Sequence, residues 1–166
     1  SRLKMELKTV IDSLGPEVRF NVIAFSDSIK RWDTKLVAAD DKSKAAAKGF
    51  VDTLKANGGT YTDGPLKEAL ANAEIDTLYL LSDGAPMKFG DDKQDDKYRQ
   101  DTLALVEKQN RYRRMAIHCL GFVGPGGWPK TLGQRPASLK KEKTADFVKF
   151  MKDLAEENNG TYRSVP

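Results

Sequence analysis

Two short, almost continuously apolar runs at 75–81 (IDTLYLL) and 115–123 (MAIHCLGFV) constrain the fold more than any other feature of the chain. Runs of this length, bounded by turn residues, are the pattern of strands in a parallel sheet covered on both faces. Parallel strands cannot be joined by a tight turn, so the segment between them must cross back over the sheet, usually as a helix. That segment is polar at Asp91, Asp92, Asp95 and Asp96 and takes on a helical pattern around 98–110. The aspartates from Asp91 to Asp101 alternate with Lys93, Lys97 and Arg99 and read as a solvated loop and helix start.

The same alternation continues towards both ends. Leu3, Leu7, Val10, Ile11 and Leu14 recur at helical spacing and stop at Gly15-Pro16. Residues 18–25 (VRFNVIAF) read as a buried strand, and 29–32 as a short edge strand. Ala47, Phe50, Val51 and Leu54 mark a second helix, with Asn57-Gly58-Gly59 as its left-handed end. Pro65 belongs in the first turn of a shorter helix that buries Leu66, Ala69, Leu70 and Ala73. Thr144 is positioned to cap a last helix with the stripe Phe147, Val148, Met151, Leu154 and Ala155; Asn159-Gly160 ends it, and 161–165 form a final strand. Strands alternating with helices predict an α/β fold with a doubly wound, mostly parallel, Rossmann-like sheet flanked by helices.

A chain of 166 residues fits one domain, 1–166, and 39% hydrophobic with 31% charged residues is an ordinary globular composition. No apolar run reaches the roughly 18–20 residues that span a bilayer. Cys119 is the single cysteine, so no internal disulfide forms. The chain opens at Ser1-Arg2-Leu3, already inside a helical pattern, and reads as a piece of something longer. Its net charge is +4, and the stretch 124–143, with Lys130, Arg135, Lys140, Lys141 and Lys143 against Glu142, carries an excess of the same size. Basicity therefore belongs to one loop.

Ligands of open parallel sheets bind at the carboxyl ends of the strands. That rule selects the loops at 26–28, 58–63, 82–90 and 124–143. None carries Gly-x-Gly-x-x-Gly, and Gly58-Gly59-Thr60 lacks the Lys of a phosphate-binding loop. No nucleophile elbow is present, and His118 and Cys119, adjacent on one strand, point to opposite faces. Five basic residues without interleaved aromatics make a poor nucleic-acid footprint. An enzyme and a nucleic-acid binder are both disfavoured.

Phe20-Asn21-Val22-Ile23-Ala24-Phe25-Ser26, Gly58-Gly59-Thr60 leading into Leu66 and Ala69-Leu70, Leu80-Leu81-Ser82-Asp83-Gly84-Ala85-Pro86, and Leu154-Ala155 with Asn159-Gly160-Thr161-Tyr162 together resemble a von Willebrand factor type A domain. The resemblance runs over nearly the whole chain in the right order. It implies a non-enzymatic adhesion module whose metal-ion-dependent adhesion site holds a divalent cation, commonly Mg2+, and leaves an open position for an acidic group of the partner. It carries the metal-ligating threonine onto Thr60 and the aspartate onto Asp83; a hydroxyl and a carboxylate are hard oxygen donors of the kind magnesium prefers. Tyr61, Thr62 and Ser26 would contact the partner, a protein or another domain of the parent chain. Lys130, Arg135, Lys140 and Lys141 would steer an acidic one, or serve a metal-independent interaction.

The family's other ligands lie in an Asp-x-Ser-x-Ser motif after a first strand, and this chain opens at the helix that follows it. That strand is central in the family, between 18–25 and 75–81. Losing five or six such residues forfeits on the order of 10 kcal/mol of burial. The expectation is therefore a domain incomplete at its N-terminus, a gap or non-native closure between those two strands, and metal affinity that is weak or absent in this chain alone.

Overall fold

The computed structural model describes residues 2–55, 59–122 and 141–165. The chain divides into two compact units, Ser1–Gly58 and Gly59–Pro166. Among the described residues the strands form three sheets, and the runs 18–25 and 75–81 belong to different ones.

In the first unit, helix α1 (Arg2–Ser13) packs along α2 (Asp41–Thr53). Ile11, Ala47 and Val51 are buried between them, with Leu7, Leu14 and Phe50 packed at the margin. Lys8 pairs with Asp52 and Lys48 with Asp12, both at 2.6 Å, across the same seam. The strand expected at 18–25 is broken into β1 (Arg19–Phe20) and β2 (Ile23–Phe25). The cause is Asn21. Its side-chain oxygen accepts from the backbone N–H of Val22 at 2.7 Å and of Asp33 at 3.2 Å, and its amide donates to the Asp33 carbonyl at 2.9 Å. A side chain satisfying backbone groups in this way competes with the ladder. The two pieces therefore pair separately and antiparallel, β2 with β3 (Ile29–Arg31) and β1 with β4 (Val37–Ala38), a strand the hydrophobic pattern does not announce. Phe20 stacks on Trp32 at 5.1 Å. Helix α2 starts at an Asp40 cap, whose carboxylate accepts from Ser43 N–H at 2.7 Å. It ends at Thr53, short of Asn57-Gly58-Gly59, because Leu54 is already extended.

The second unit is a parallel sheet in the order β5 (Thr77–Ser82), β6 (Ala116–Gly121), β7 (Tyr162–Ser164). The register runs from Thr77 opposite Ala116 to Ser82 opposite Gly121. Helix α3 (Asp63–Ala71) leads into β5, and α4 (Asp92–Asn110) and α5 (Lys141–Glu156) make the crossovers, with α5 packed on β6 and β7. Leu66, Leu80, Val106, Ile117, Cys119, Phe147, Met151 and Leu154 are buried. Pro65 sits in the first turn of α3 as expected.

Three expectations need correction. Helix α4 begins at Asp92 rather than near Tyr98, because the Asp91 carboxylate accepts from Gln94 N–H at 3.0 Å and caps it. Helix α5 begins at Lys141, so Thr144 lies inside it and does not cap it. Strand β5 is not covered on both faces: Tyr79 is 46% exposed and stacks on His118 at 5.0 Å, leaving that imidazole only partly buried.

Two polar devices lock the crossovers. Buried Asn110 donates to the Met115 carbonyl at 2.8 Å and to Asn158 Oδ1 at 2.7 Å, while its own oxygen accepts from Met115 N–H at 2.8 Å. At the α5–β7 turn Asn159 is left-handed (φ 56°), and a side chain on Gly160 would reach within 1.8 Å of the Ile117 carbonyl oxygen. Replacing Asn110 by Ala strands three buried polar groups, each costing about 1–3 kcal/mol when unpaired, so urea unfolding should show a loss of about 3 kcal/mol or more. The exposed Gln109→Ala should stay within about 0.5 kcal/mol of the parent.

Candidate functional site

The carboxyl end of β5 runs into a turn that its own last residue closes. Ser82 Oγ donates to the Gly84 carbonyl at 2.9 Å and accepts from Gly84 N–H at 3.3 Å. Asp83, at the tip, is exposed. Thr60 lies against this turn. A Cβ placed on Gly84 would stand 3.6 Å from Thr60 Oγ1. Thr60 and Met87 exchange both backbone hydrogen bonds at 3.2 Å, an isolated antiparallel bridge that ties the loop before α3 to the loop after β5. The structure thus brings the Thr60 hydroxyl to the Ser82-Asp83-Gly84 turn.

Thr62, two residues on, is 1% exposed, and its hydroxyl has no partner of hydrogen-bond geometry, although it lies close enough to the Tyr98 oxygen to favour that phenol's ionised form. Tyr61 is half-buried, with its hydroxyl 3.5 Å from the Lys88 carbonyl. Ser26 belongs to the first unit, where its N–H donates to the Ser28 carbonyl at 3.0 Å in the turn joining β2 and β3. Lys130, Arg135 and Lys140 lie outside the described residues, and Lys141 opens α5.

Residues that the sequence reading passed over build the wall of the site. The Asp95 carboxylate, 2% exposed and so not part of a solvated loop, accepts from three successive backbone N–H groups, Lys88 at 2.9 Å, Phe89 at 2.8 Å and Gly90 at 3.1 Å. It fixes the loop that carries them. Beside it the Tyr98 hydroxyl donates to Asp63 Oδ1 at 2.7 Å and accepts from Asp63 N–H at 3.1 Å. Lys67 approaches Asp63 Oδ2 at 3.3 Å and Lys88 at 3.9 Å. Burial alone would raise the Asp63 pKa, but the Tyr98 hydroxyl and the two ammonium groups outweigh it and hold the carboxyl below its ordinary 3.8. Burial pushes the Tyr98 phenol up. It also pushes the Cys119 thiol up to about 12, which leaves that sulfur a core side chain at neutral pH.

The oxygen donors fit a hard cation in kind: the Thr60 hydroxyl and the Asp83 carboxylate. They do not complete a shell, since no three His, Cys, Asp or Glu side chains converge among the described residues. No helix among those residues is long and apolar enough to cross a membrane.

Comparison with known proteins places the chain in a family. The model of the von Willebrand factor type A domain matches residues 2–129, and the chain belongs to that family. It is 30% identical over 92 residues to inter-alpha-trypsin inhibitor heavy chain H2 of Homo sapiens, a match covering 48% of this chain and 10% of that protein. It is 22% identical over 116 residues to von Willebrand factor A domain-containing protein 3B of Homo sapiens, covering 70% of this chain and 8% of the relative. The matched part is thus about a tenth of these relatives. Among solved structures, a von Willebrand factor type A protein from Catenulispora acidiphila superposes with a TM-score of 0.68 at 22% identity, over 98% of this chain and 33% of that one. An aerotolerance-related membrane protein from Bacteroides fragilis superposes at 0.63 with 16% identity, over 100% of this chain and 82% of that one. Domains of this family typically mediate protein–protein interactions.

The Asp63 cluster makes a pH prediction. A carboxyl whose folded pKa lies below its unfolded value adds stability that is present above about pH 3.8 and is lost as pH falls through the folded pKa. Tyr98→Phe removes the donor at 2.7 Å, so carboxyl NMR should show the Asp63 titration moving up towards the ordinary value, and acid unfolding should begin at higher pH. An unmoved Asp63 titration contradicts the assignment.

Proposed function

We propose that this chain is a non-enzymatic protein-binding module, incomplete by itself, which in its intact parent engages an acidic group of another protein, or of another domain of the same chain, through a divalent cation. The observation that carries this reading is the placement of the Thr60 hydroxyl against the turn that presents Asp83, at the carboxyl end of a parallel strand. Thr60 would bind the ion through its hydroxyl, and Asp83 directly or through water. Magnesium, when bound, supplies a hard positive centre that keeps open or water-filled positions for an incoming carboxylate. The chain's own residues set the geometry. Ser82 closes the turn under Asp83, and the Thr60–Met87 bridge keeps the two loops in register.

Two further observations favour a binding role over catalysis. The described sulfur nucleophile is buried and protonated, and His118 is engaged by Thr161, whose N–H donates to its Nδ1 at 3.2 Å. Neither lies on the loops that converge at Asp83. Tyr61 and the basic residues Lys130, Arg135, Lys140 and Lys141 would add contacts or steering around the cation.

Magnesium calorimetry on this chain, and on one extended upstream through an Asp-x-Ser-x-Ser segment, tests the reading. The expected outcome is binding by the extended chain only, abolished by Asp83→Ala. Binding by neither chain contradicts it and favours a metal-independent interaction module that uses the basic segment.

A further inference from the structure

The backbone around Thr60 is tied down from two directions, and both ties lead to the first turns of α4. On one side Thr60 and Met87 exchange backbone hydrogen bonds at 3.2 Å, and the three residues after Met87 give their N–H groups to the Asp95 carboxylate. On the other side, at the start of α3, the Tyr98 hydroxyl donates to Asp63 Oδ1 and accepts from Asp63 N–H. Asp95 and Tyr98 are spaced i, i+3 and so share one face of the helix. Both are buried, at 2% and 7% exposed, whereas Lys88, Phe89 and Gly90 in the loop that Asp95 holds are exposed.

Exposed loops ordinarily open at little cost. This one is held by hydrogen bonds to a carboxylate, which are roughly twice as strong as neutral ones. The two oxygens divide the work unequally: Lys88 at 2.9 Å and Phe89 at 2.8 Å both donate to Oδ1, and Gly90 at 3.1 Å donates to Oδ2. Oδ1 therefore holds the two residues next to Met87. Helix α4 needs neither side chain for its own anchorage, because Asp91 caps it and Thr102, Val106 and Asn110 are buried further along it. What Asp95 and Tyr98 hold is the pair of loops that meet at Thr60, whose hydroxyl lies against the Ser82-Asp83-Gly84 turn.

We propose that Asp95 and Tyr98 are positioning residues for Thr60. Helix α4 sets, through the Met87 bridge on one side and Asp63 on the other, where the Thr60 hydroxyl stands relative to Asp83. It thereby sets the cation affinity of a site to which neither residue gives an oxygen ligand. That consequence rests on the reading of Thr60 and Asp83 as the cation site, whereas the placement of Thr60 by α4 holds whether or not an ion binds there. Partners that orient a metal ligand from behind typically change metal affinity about 10–100-fold when removed.

Amide hydrogen exchange by NMR on this chain tests the placement, and magnesium calorimetry on the upstream-extended chain tests its consequence. In Asp95→Ala, exchange at Thr60 and Met87 should rise about tenfold or more relative to the sheet amides of Cys119 and Phe122, along with exchange at Lys88, Phe89 and Gly90. Asn110→Ala, which weakens the same unit without touching either loop, should not raise that ratio. Asp95→Asn keeps an oxygen in place of Oδ1 and turns an NH2 group towards Gly90, so Gly90 should exchange faster while Thr60 stays within about twofold of the parent. Magnesium should bind the extended chain about tenfold more weakly in Asp95→Ala and in Tyr98→Phe, with Asp95→Asn close to the parent. The conservative Tyr98→Phe keeps the test open if Asp95→Ala does not fold. Unchanged exchange ratios at Thr60 and Met87 in Asp95→Ala overturn the inference. Unchanged magnesium affinity in one variant removes that residue from the role, and in both overturns it. Absence of magnesium binding by the parent extended chain sinks the cation reading instead, and the exchange ratios then decide the placement by themselves.

Discussion

In a parallel ladder both strands finish on the same edge, and the pairing of Thr77–Ser82 with Ala116–Gly121 is the constraint on which the rest of the second unit depends. Because the register is kept to its last pair, Ser82 opposite Gly121, the chain leaves β5 and β6 at one level. The ladder extends beyond the named strands, with Phe122 N–H donating to the Ser82 carbonyl at 3.0 Å and Val165 N–H to the Gly121 carbonyl at 2.8 Å. A sheet edge this well satisfied gives the loop after β5 a rigid base, and Asp83 is one residue beyond it. One-residue slippage would turn Leu80, Ile117 and Cys119 away from the helices that bury them.

Hydrogen bonds made by single polar side chains then order the loops of the candidate site at that edge. The Asp95 carboxylate takes up three consecutive backbone donors and fixes the loop that carries them. Tyr98 from the same helix reaches across to Asp63 at the start of α3, so one helix organises both loops that flank Asp83. The orphaned Thr62 hydroxyl is the exception in a region otherwise satisfied.

Much of the fold is legible in the sequence because it rests on periodicity. The runs at 75–81 and 115–123 and the stripe Phe147, Met151, Leu154 announce β5, β6 and α5 directly. What escapes the pattern is decided by one polar atom at a time. Asn21 splits an apolar run that reads as a single strand, and nothing in its neighbours' hydropathy marks that. Asp91, followed three residues later by Gln94, is a helix-start signal that was legible in principle and lay hidden among interleaved charges. Of the site, the approach of Thr60 to the Ser82-Asp83-Gly84 turn follows from family resemblance. The buried Asp95, the Tyr98–Asp63 pair and the exposed Phe89 do not, because a carboxylate aimed at backbone N–H groups looks in sequence like any solvated aspartate.

The proposed partner-facing edge is the turn where Thr60 meets Asp83. Paramagnetic broadening of amide resonances by Mn2+, standing in for magnesium, on the upstream-extended chain measures this most directly. The account predicts that the Thr60, Asp83 and Gly84 signals broaden first, and that Asp83→Asn removes the effect. Broadening centred on another cluster of carboxylates, or spread evenly over the exposed aspartates, would contradict it.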